Sequence, residues 1–261
     1  MRRTTFKLTI EYSGTRYSGW QVQKNSRTVQ GKIIKTIRNV FGNDDFEFQG
    51  AGRTDAGVHA IGQVAHLKIN TSIYESKLQF ALNDNLPADI NILKVEKVHK
   101  NFHARHDAIS RAYIYQISKR RTAFGKNFVW WIKDQLDFDK MYKASQFFIG
   151  LNDFASFADI EKEEKSTKVL INSIELKEEG SLILIRIIGS HFLPKMVRRM
   201  VGILVEIGRG NFDPDFIKSL LKHKSNIPAK YTAPPSGLFL ENVFYNETDK
   251  PKELKPIILI E

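Results

Sequence analysis

The sequence predicts an α+β protein built from two successive β-α-β-β-α-β domains, the ferredoxin-like or split β-α-β arrangement, with antiparallel sheets flanking a central basic cleft. Three observations predict it. Apolar residues alternate with period two in strand-length runs, apolar stripes at helical spacing stand between those runs, and the order found in the first hundred residues returns in the remainder. The chain of 261 residues, 42% hydrophobic and 26% charged, can hold one large domain or two of about 130 residues with a real core. That composition excludes disorder as the main state.

The elements follow in order. Phe6, Leu8, Ile10 and Tyr12 share one parity, as a half-buried strand over 4–12 requires. Thr28 then stands as an N-cap before Val29, Ile33, Ile37, Val40 and Phe41, a helical stripe. Phe46 and Phe48 mark a second strand, a glycine-rich loop follows, and Ala65, Leu67 and Ile69 alternate in a third over 62–69. Residues 72–85 read as a helix and 90–98 as the fourth strand.

The second half plays the same order with longer parts: strand 110–118, helix 138–150, strands 168–177 and 181–188, helix 193–208 and a last strand near 238–245. Glu178-Glu179-Gly180 is the expected hairpin turn. An extra short helix opened by Asp213-Pro214 interrupts the copy. The boundary falls near residue 105, giving an N-terminal domain, 1–105, that carries the glycine-rich loop, and a C-terminal domain, 106–261, that completes the cleft.

Forty Lys and Arg oppose 29 Asp and Glu, a net charge of +11 that favours a polyanionic partner. The absence of cysteine removes disulfides, thiolate metal sites, iron–sulfur clusters and cysteine nucleophiles. Catalysis must therefore use oxygen or nitrogen side chains. The start Met1-Arg2-Arg3-Thr4-Thr5-Phe6-Lys7 has no apolar run behind its basic residues, so it is not read as a secretory signal. No stretch approaches the roughly 18 apolar residues of a membrane span. A cytoplasmic protein with no membrane partner is the expectation.

Gly50-Ala51-Gly52-Arg53-Thr54-Asp55-Ala56-Gly57-Val58-His59-Ala60 is the most unusual segment. A dinucleotide-binding fingerprint fails, because the third glycine comes two positions late and a strand follows it. A P-loop fails because Val58 stands where lysine belongs. What remains is an aspartate with an arginine two residues before it. If 53–55 is extended, both side chains leave one face about 7 Å apart, so Arg53 could hold Asp55 ionised. An ionised, partly desolvated carboxylate is a usable nucleophile; an Asx-turn with a surface arginine is the structural alternative.

The full string resembles the motif of the tRNA pseudouridine synthase A (TruA) family, and the resemblance runs through nearly the whole chain. Residues 12–23 with Thr28-Val29-Gln30, residues 83–90, Phe102-His103-Ala104-Arg105, residues 111–115, residues 150–157, residues 196–202 and Gly237-Leu238-Phe239-Leu240 follow in the family's order. The resemblance implies a pseudouridine synthase fold and a cofactor-free isomerisation of uridine to pseudouridine in tRNA, with no metal. It further implies action in the anticodon stem-loop at positions 38, 39 and 40, and a homodimer. Asp55 matches the nucleophile, which attacks the base or the sugar anomeric carbon, or assists elimination there. Arg53 matches the loop arginine, Arg198 the basic residue proposed to pair with the aspartate, and Tyr113 the aromatic that packs on the target base.

Each residue also has a structural reading. Tyr113 shares strand parity with Tyr115 and Ile117, as a core tyrosine would. The spacing of the stripe Leu193, Met196, Val197, Met200, Val201 and Leu204 does not choose between Arg198 and Arg199. Arg16, Tyr17, Trp20, Gln21 and His59 are candidate RNA contacts, although an exposed hairpin would look similar. His99, His103 and His106 with Asp107 fall at a strand end and loop, where helical spacing has no meaning, so a structural or RNA-contacting role is favoured over a metal. The run 161–165 reads as a solvated loop. Ala112, Ser190-His191, Pro194-Lys195 and the loop 159–168 depart from the family pattern. They leave a second reading open: a divergent relative that binds or remodels RNA, or modifies another uridine.

Overall fold

The computed structural model describes residues 3–159 and 166–260, so the run 161–165 and most of the loop 159–168 lie outside the described residues. The chain is α+β with mostly antiparallel pairing. The first half holds β1 (Thr4–Tyr12), α1 (Val29–Phe41), β2 (Phe46–Gly50), β3 (His59–Ile69), α2 (Glu75–Asn85) and β4 (Ile90–Val98). The second holds β5 (Ser110–Ser118), β6 (Trp130–Trp131), α3 (Phe138–Ser145), β7 (Gly150–Asp153), β8 (Lys168–Glu179) and β9 (Leu182–Gly189). It continues through α4 (Met196–Gly208), α5 (Phe216–Lys222), α6 (Ile227–Lys230) and β10 (Leu238–Phe244). Among the described residues no helix is long and apolar enough to cross a membrane.

The chain divides into two compact units. The first comprises Met1–Ile109 and Phe239–Asp249, the second Ser110–Leu238 and Lys250–Glu261. In the first unit β4, β1 and β3 pair in that order, antiparallel throughout. The outer edge of β3 is shared: β2 runs antiparallel along Ala65–Ile69, and β10 runs parallel at His59 and Ala60. Gly62 permits that approach of β10, since a Cβ there would collide with the Glu241 carbonyl oxygen. Phe6, Leu8 and Ile10 of β1 and Val29, Ile33 and Ile37 of α1 are all buried in the core. Thr28 Oγ1 caps α1 by accepting from the Gly31 amide at 3.3 Å. Gly42, left-handed at φ 68°, ends it.

In the second unit the order is β5-β9-β8-β7, with β6 parallel on the end of β5. Here α4 packs against α3, and its apolar side chains are all buried. Gly202 lets α4 approach the backbone at Tyr231, where any Cβ would overlap the carbonyl oxygen.

Several boundaries differ from the periodicity. α2 begins at Glu75, because the Thr71 hydroxyl accepts from the Ile73 amide and holds 71–74 out of the helix. α3 stops at Ser145, gives way to a 3-10 turn, and the chain reverses at Gly150, φ 100°, into β7. α4 begins at Met196, since Lys195 is left-handed at φ 59° directly after Pro194. β8 extends to Glu179, and Gly180 at φ 58° makes the hairpin turn.

Candidate active site

The loop 51–58 joins β2 to β3 and carries Asp55. Three sets of hydrogen bonds to its backbone fix it. The Ala51 amide donates to Val64 O at 2.7 Å and Gln63 Nε2 donates to Gly52 O at 3.1 Å, lacing its start to β3. The Val58 amide donates to Asp55 O at 3.1 Å, closing a tight turn over Asp55-Ala56-Gly57. Gly57 takes the positive φ, 79°, that such a turn demands at its third position. The third set comes from the segment after β1: Trp20 N donates to Thr54 O at 3.1 Å, and Gly57 N donates to Tyr17 O at 3.2 Å.

That segment, residues 13–20, is a cradle for the aspartate loop. Gly14 lies so close to Val58 that a Cβ would collide with its carbonyl oxygen. Gly19 has φ 91°, and a Cβ there would sit 2.6 Å from Thr54 O. The indole of Trp20 lies against Gly50, with room for no side chain at that position. The Tyr12 hydroxyl and Thr54 Oγ1 share a buried hydrogen bond of 2.8 Å. Burial raises the Tyr12 hydroxyl far above an ordinary phenol, with smaller opposing effects of the Thr54 and Gln63 hydrogen bonds, so it stays protonated. Tyr12→Phe should leave Thr54 Oγ1 without that partner and cost about 1–3 kcal/mol, read as a lower melting temperature.

The cradle corrects part of the sequence reading. Trp20 is 1% exposed and Tyr17 4%, so both rings go into building the cradle. Tyr17 instead donates from its hydroxyl to Asp89 Oδ1 at 2.6 Å, with the Arg27 guanidinium 4.7 Å over its ring. His59 is likewise 1% exposed: its Nδ1 accepts from the Gly14 amide at 3.1 Å, and its ring stacks on Phe239 at 4.8 Å. These three are framework. Arg16 is exposed and Gln21 half-buried, both at the surface. Arg53 is exposed and Asp55 half-buried.

In the second unit Tyr113 is a buried residue of β5, edge-on to Phe192 at 5.1 Å and 81°. Arg198 is half-buried in the first turn of α4 and is clamped by one residue at both ends. Its Nε donates to Ala233 O at 2.7 Å, while the Ala233 amide donates to Arg198 O at 3.0 Å. Beside that clamp Tyr115 donates to Pro234 O at 2.8 Å. Burial holds the Tyr115 hydroxyl well above the ordinary phenol value, and the nearby Arg198 charge partly opposes this. Arg199, which spacing could not separate from Arg198, is buried and bonded to Ala158 O and, at 3.3 Å, to Asp159. Lys195 first, and then Arg199, hold the Asp159 carboxyl below the usual range. Arg199 is therefore structural. Of the departures, Ala112 is fully buried, and Arg111 donates to Ser190 O at 2.8 Å.

A histidine cluster in the first unit differs from the sequence trio. Glu47, His66 and His103 bring potential ligand atoms within 4.8 Å of one another. Sequence spacing could not show it, since the three come from β2, β3 and the loop after β4. Hydrogen bonds already occupy the rings. His66 Nδ1 accepts from the Ala104 amide at 3.1 Å, which leaves Nε2 carrying the proton given to Glu47 Oε1 at 2.9 Å. His103 Nδ1 accepts from the Arg105 amide at 3.2 Å. A metal at either Nε2 would require an imidazolate or the loss of these bonds.

The cluster sets a pH dependence of stability. Burial pushes His66 below its ordinary 6.5, and His103 and His191 shift the same way. The His66 hydrogen bond, followed by weaker effects of Lys68, holds Glu47 below its ordinary 4.5. The unfolded chain therefore binds more protons on acidification. Histidine stabilisation is present above about pH 6.5 and is lost as pH falls through the depressed folded values; the Glu47 contribution follows below about 4.5. The melting temperature should fall between pH 7.5 and 5, and His66→Gln should flatten that slope. A melting temperature constant over this range would contradict the assignment.

The sequence profile described as tRNA pseudouridine synthase matches residues 8–107 and 144–246. Those stretches contain Arg53, Asp55 and Arg198, whereas Tyr113 falls between them. The tRNA pseudouridine synthase A of Maridesulfovibrio salexigens is 41% identical over 248 residues, covering 93% of this chain and 90% of that one. The tRNA pseudouridine synthase A 2 of Clostridium perfringens is 39% identical over 241 residues, covering 92% and 98%. The protein of the same name from Clostridium tetani is 38% identical over 244 residues, covering 92% and 98%. With identity at this level along nearly the full length of each relative, the chain belongs to the tRNA pseudouridine synthase family.

Proposed function

We propose that this protein isomerises uridine to pseudouridine in the anticodon stem-loop of tRNA, at positions 38, 39 and 40, with Asp55 as nucleophile. Family membership supports the reaction and the substrate class. The observation that supports the residue is the aspartate loop itself. Its backbone is held by β3 and by the 13–20 segment and closed by its own turn, and Gly14, Gly19 and Gly50 are required for the cradle to reach it. A carboxylate on so fixed a loop is already oriented for attack, which is where much of the rate of a positioned reaction originates.

The reaction breaks the N1–C1′ glycosidic bond, turns the uracil, and forms a C5–C1′ bond, while C5 gives up its proton and N1 gains one. Atoms and electrons balance without a redox or group-transfer partner. Holding the free uracil while it turns calls for a flat apolar wall, and Tyr113 is assigned that role. Base–aromatic stacking contributes about 1–3 kcal/mol and leaves the in-plane angle free. Arg198 is assigned the fixed positive charge, its guanidinium anchored at Nε by Ala233. Extracting a nucleotide from a stem costs a few kcal/mol, offset by phosphate contacts for which the +11 charge is suited.

The same reading places the protein in the cytoplasm with its tRNA, as a homodimer in which one RNA contacts both subunits. A mass in solution equal to one chain would count against the dimer. Mapping pseudouridine across the tRNAs of a strain lacking the gene tests the function. Loss at positions 38 to 40 is expected; an unchanged map would remove the assignment.

A further inference from the structure

Phe124 stands 99% exposed, more than any other large apolar side chain among the described residues. It sits at the tip of the loop between β5 and β6, in the segment 108–143 that the family profile does not match. A built turn displays it. Thr122 Oγ1 accepts from the Gly125 amide at 3.1 Å, and the Phe128 amide donates to Gly125 O at 2.8 Å. Gly125 is buried so tightly against Ile260 that a Cβ there would collide with its side chain. Turning the ring into water in this way forgoes the burial that a phenylalanine normally finds.

The chain on either side of Phe124 is cationic. Arg120, Arg121 and Lys126 are exposed, and between Lys119 and Lys133 the sequence holds no carboxylate. Lys119 is engaged with Glu178 at 2.9 Å. The Arg121 guanidinium lies 5.8 Å over the ring of Trp131, itself 42% exposed. Alternating guanidinium, ammonium and bare aromatic groups match a polyanion that also presents flat bases.

We infer that this loop is a second RNA-contacting surface, in which Phe124 stacks on an unpaired base of the tRNA while Arg120, Arg121 and Lys126 hold the flanking phosphates. The inference rests on the tRNA reading above and adds to it a determinant of affinity outside the aspartate loop. A second copy of the chain, which would seat Phe124 in an apolar pocket, is the competing occupant, and the cationic surroundings speak against it.

The test compares wild type, Phe124→Ala, Phe124→Trp and Arg120→Ala/Arg121→Ala. Their binding to an unmodified tRNA transcript is followed over a salt series, along with pseudouridine formation and mass by sedimentation. Phe124→Ala should raise Kd and KM by about 5- to 150-fold, with the loss on KM rather than kcat, and Phe124→Trp should restore both. The double arginine variant should make the dependence of log K on log salt shallower by roughly one to two. Unchanged tRNA affinity in Phe124→Ala overturns the inference, as does a dimer falling to monomer with affinity per subunit retained. A wild type that binds tRNA without modifying it would refute the enzymatic reading, and the binding measurements would still decide the role of the loop.

Discussion

Asp55→Asn is expected to abolish pseudouridine formation on tRNA transcripts, by roughly 10⁴-fold or more, while salt-sensitive tRNA binding persists. The substitution keeps the size and hydrogen-bonding reach of the side chain and removes its negative charge. Backbone groups and the Tyr12–Thr54 bond hold the loop in shape. Folding should survive, with the melting temperature near that of wild type. Loss of chemistry with retained fold and binding is the signature of a group that acts on the reacting atoms. Conversion at the wild-type rate would remove the nucleophile assignment.

Gly14→Ala is expected to have the next largest effect, through position rather than chemistry. The added methyl collides with the backbone carbonyl of Val58, an atom that cannot swing aside as a flexible side chain would. Relief requires the 13–20 segment or the turn over 55–57 to shift, and misplacement of a reacting group by about 1 Å costs on the order of 100-fold in rate. Overpacking of this kind destabilises by roughly 1–3 kcal/mol. A kcat at least about 50-fold lower, with the protein still folded at assay temperature, is the expected outcome. Gly42→Ala is the control. It has a positive φ, 68°, but its Cβ position is open and it ends α1 away from the loop. It should cost about 1 kcal/mol of stability and leave turnover unchanged. Equal turnover in Gly14→Ala and wild type would mean that the cradle does not position Asp55.

Much of this is legible in the letters. The order β-α-β-β-α-β of the first unit can be read because β1 alternates between buried and half-buried positions and α1 carries its own cap, Thr28. β6 and β7 cannot, since two and four residues are too short to show a period. Apolar spacing starts α4 three residues early because it is blind to the left-handed turn at Lys195. Asp55 stands out by its glycine-rich setting, but the letters do not reveal what surrounds it. Tyr17, Trp20 and His59 have the composition of an RNA-binding surface, and the same groups build a buried cradle. Composition cannot tell a ring that faces water from one lying on Gly50. The exposed Phe124 escapes sequence reading for the converse reason.

The most direct measurement of the central claim is release of tritium from tRNA carrying uridine labelled at C5, since every pseudouridine formed must expel that hydrogen. Purified wild-type protein should release label from a transcript with uridines at positions 38, 39 and 40, at one tritium per pseudouridine formed. Asp55→Asn should release none, and replacing those uridines by cytidine should silence the wild type. No release by the wild type, or equal release by Asp55→Asn, would contradict the account.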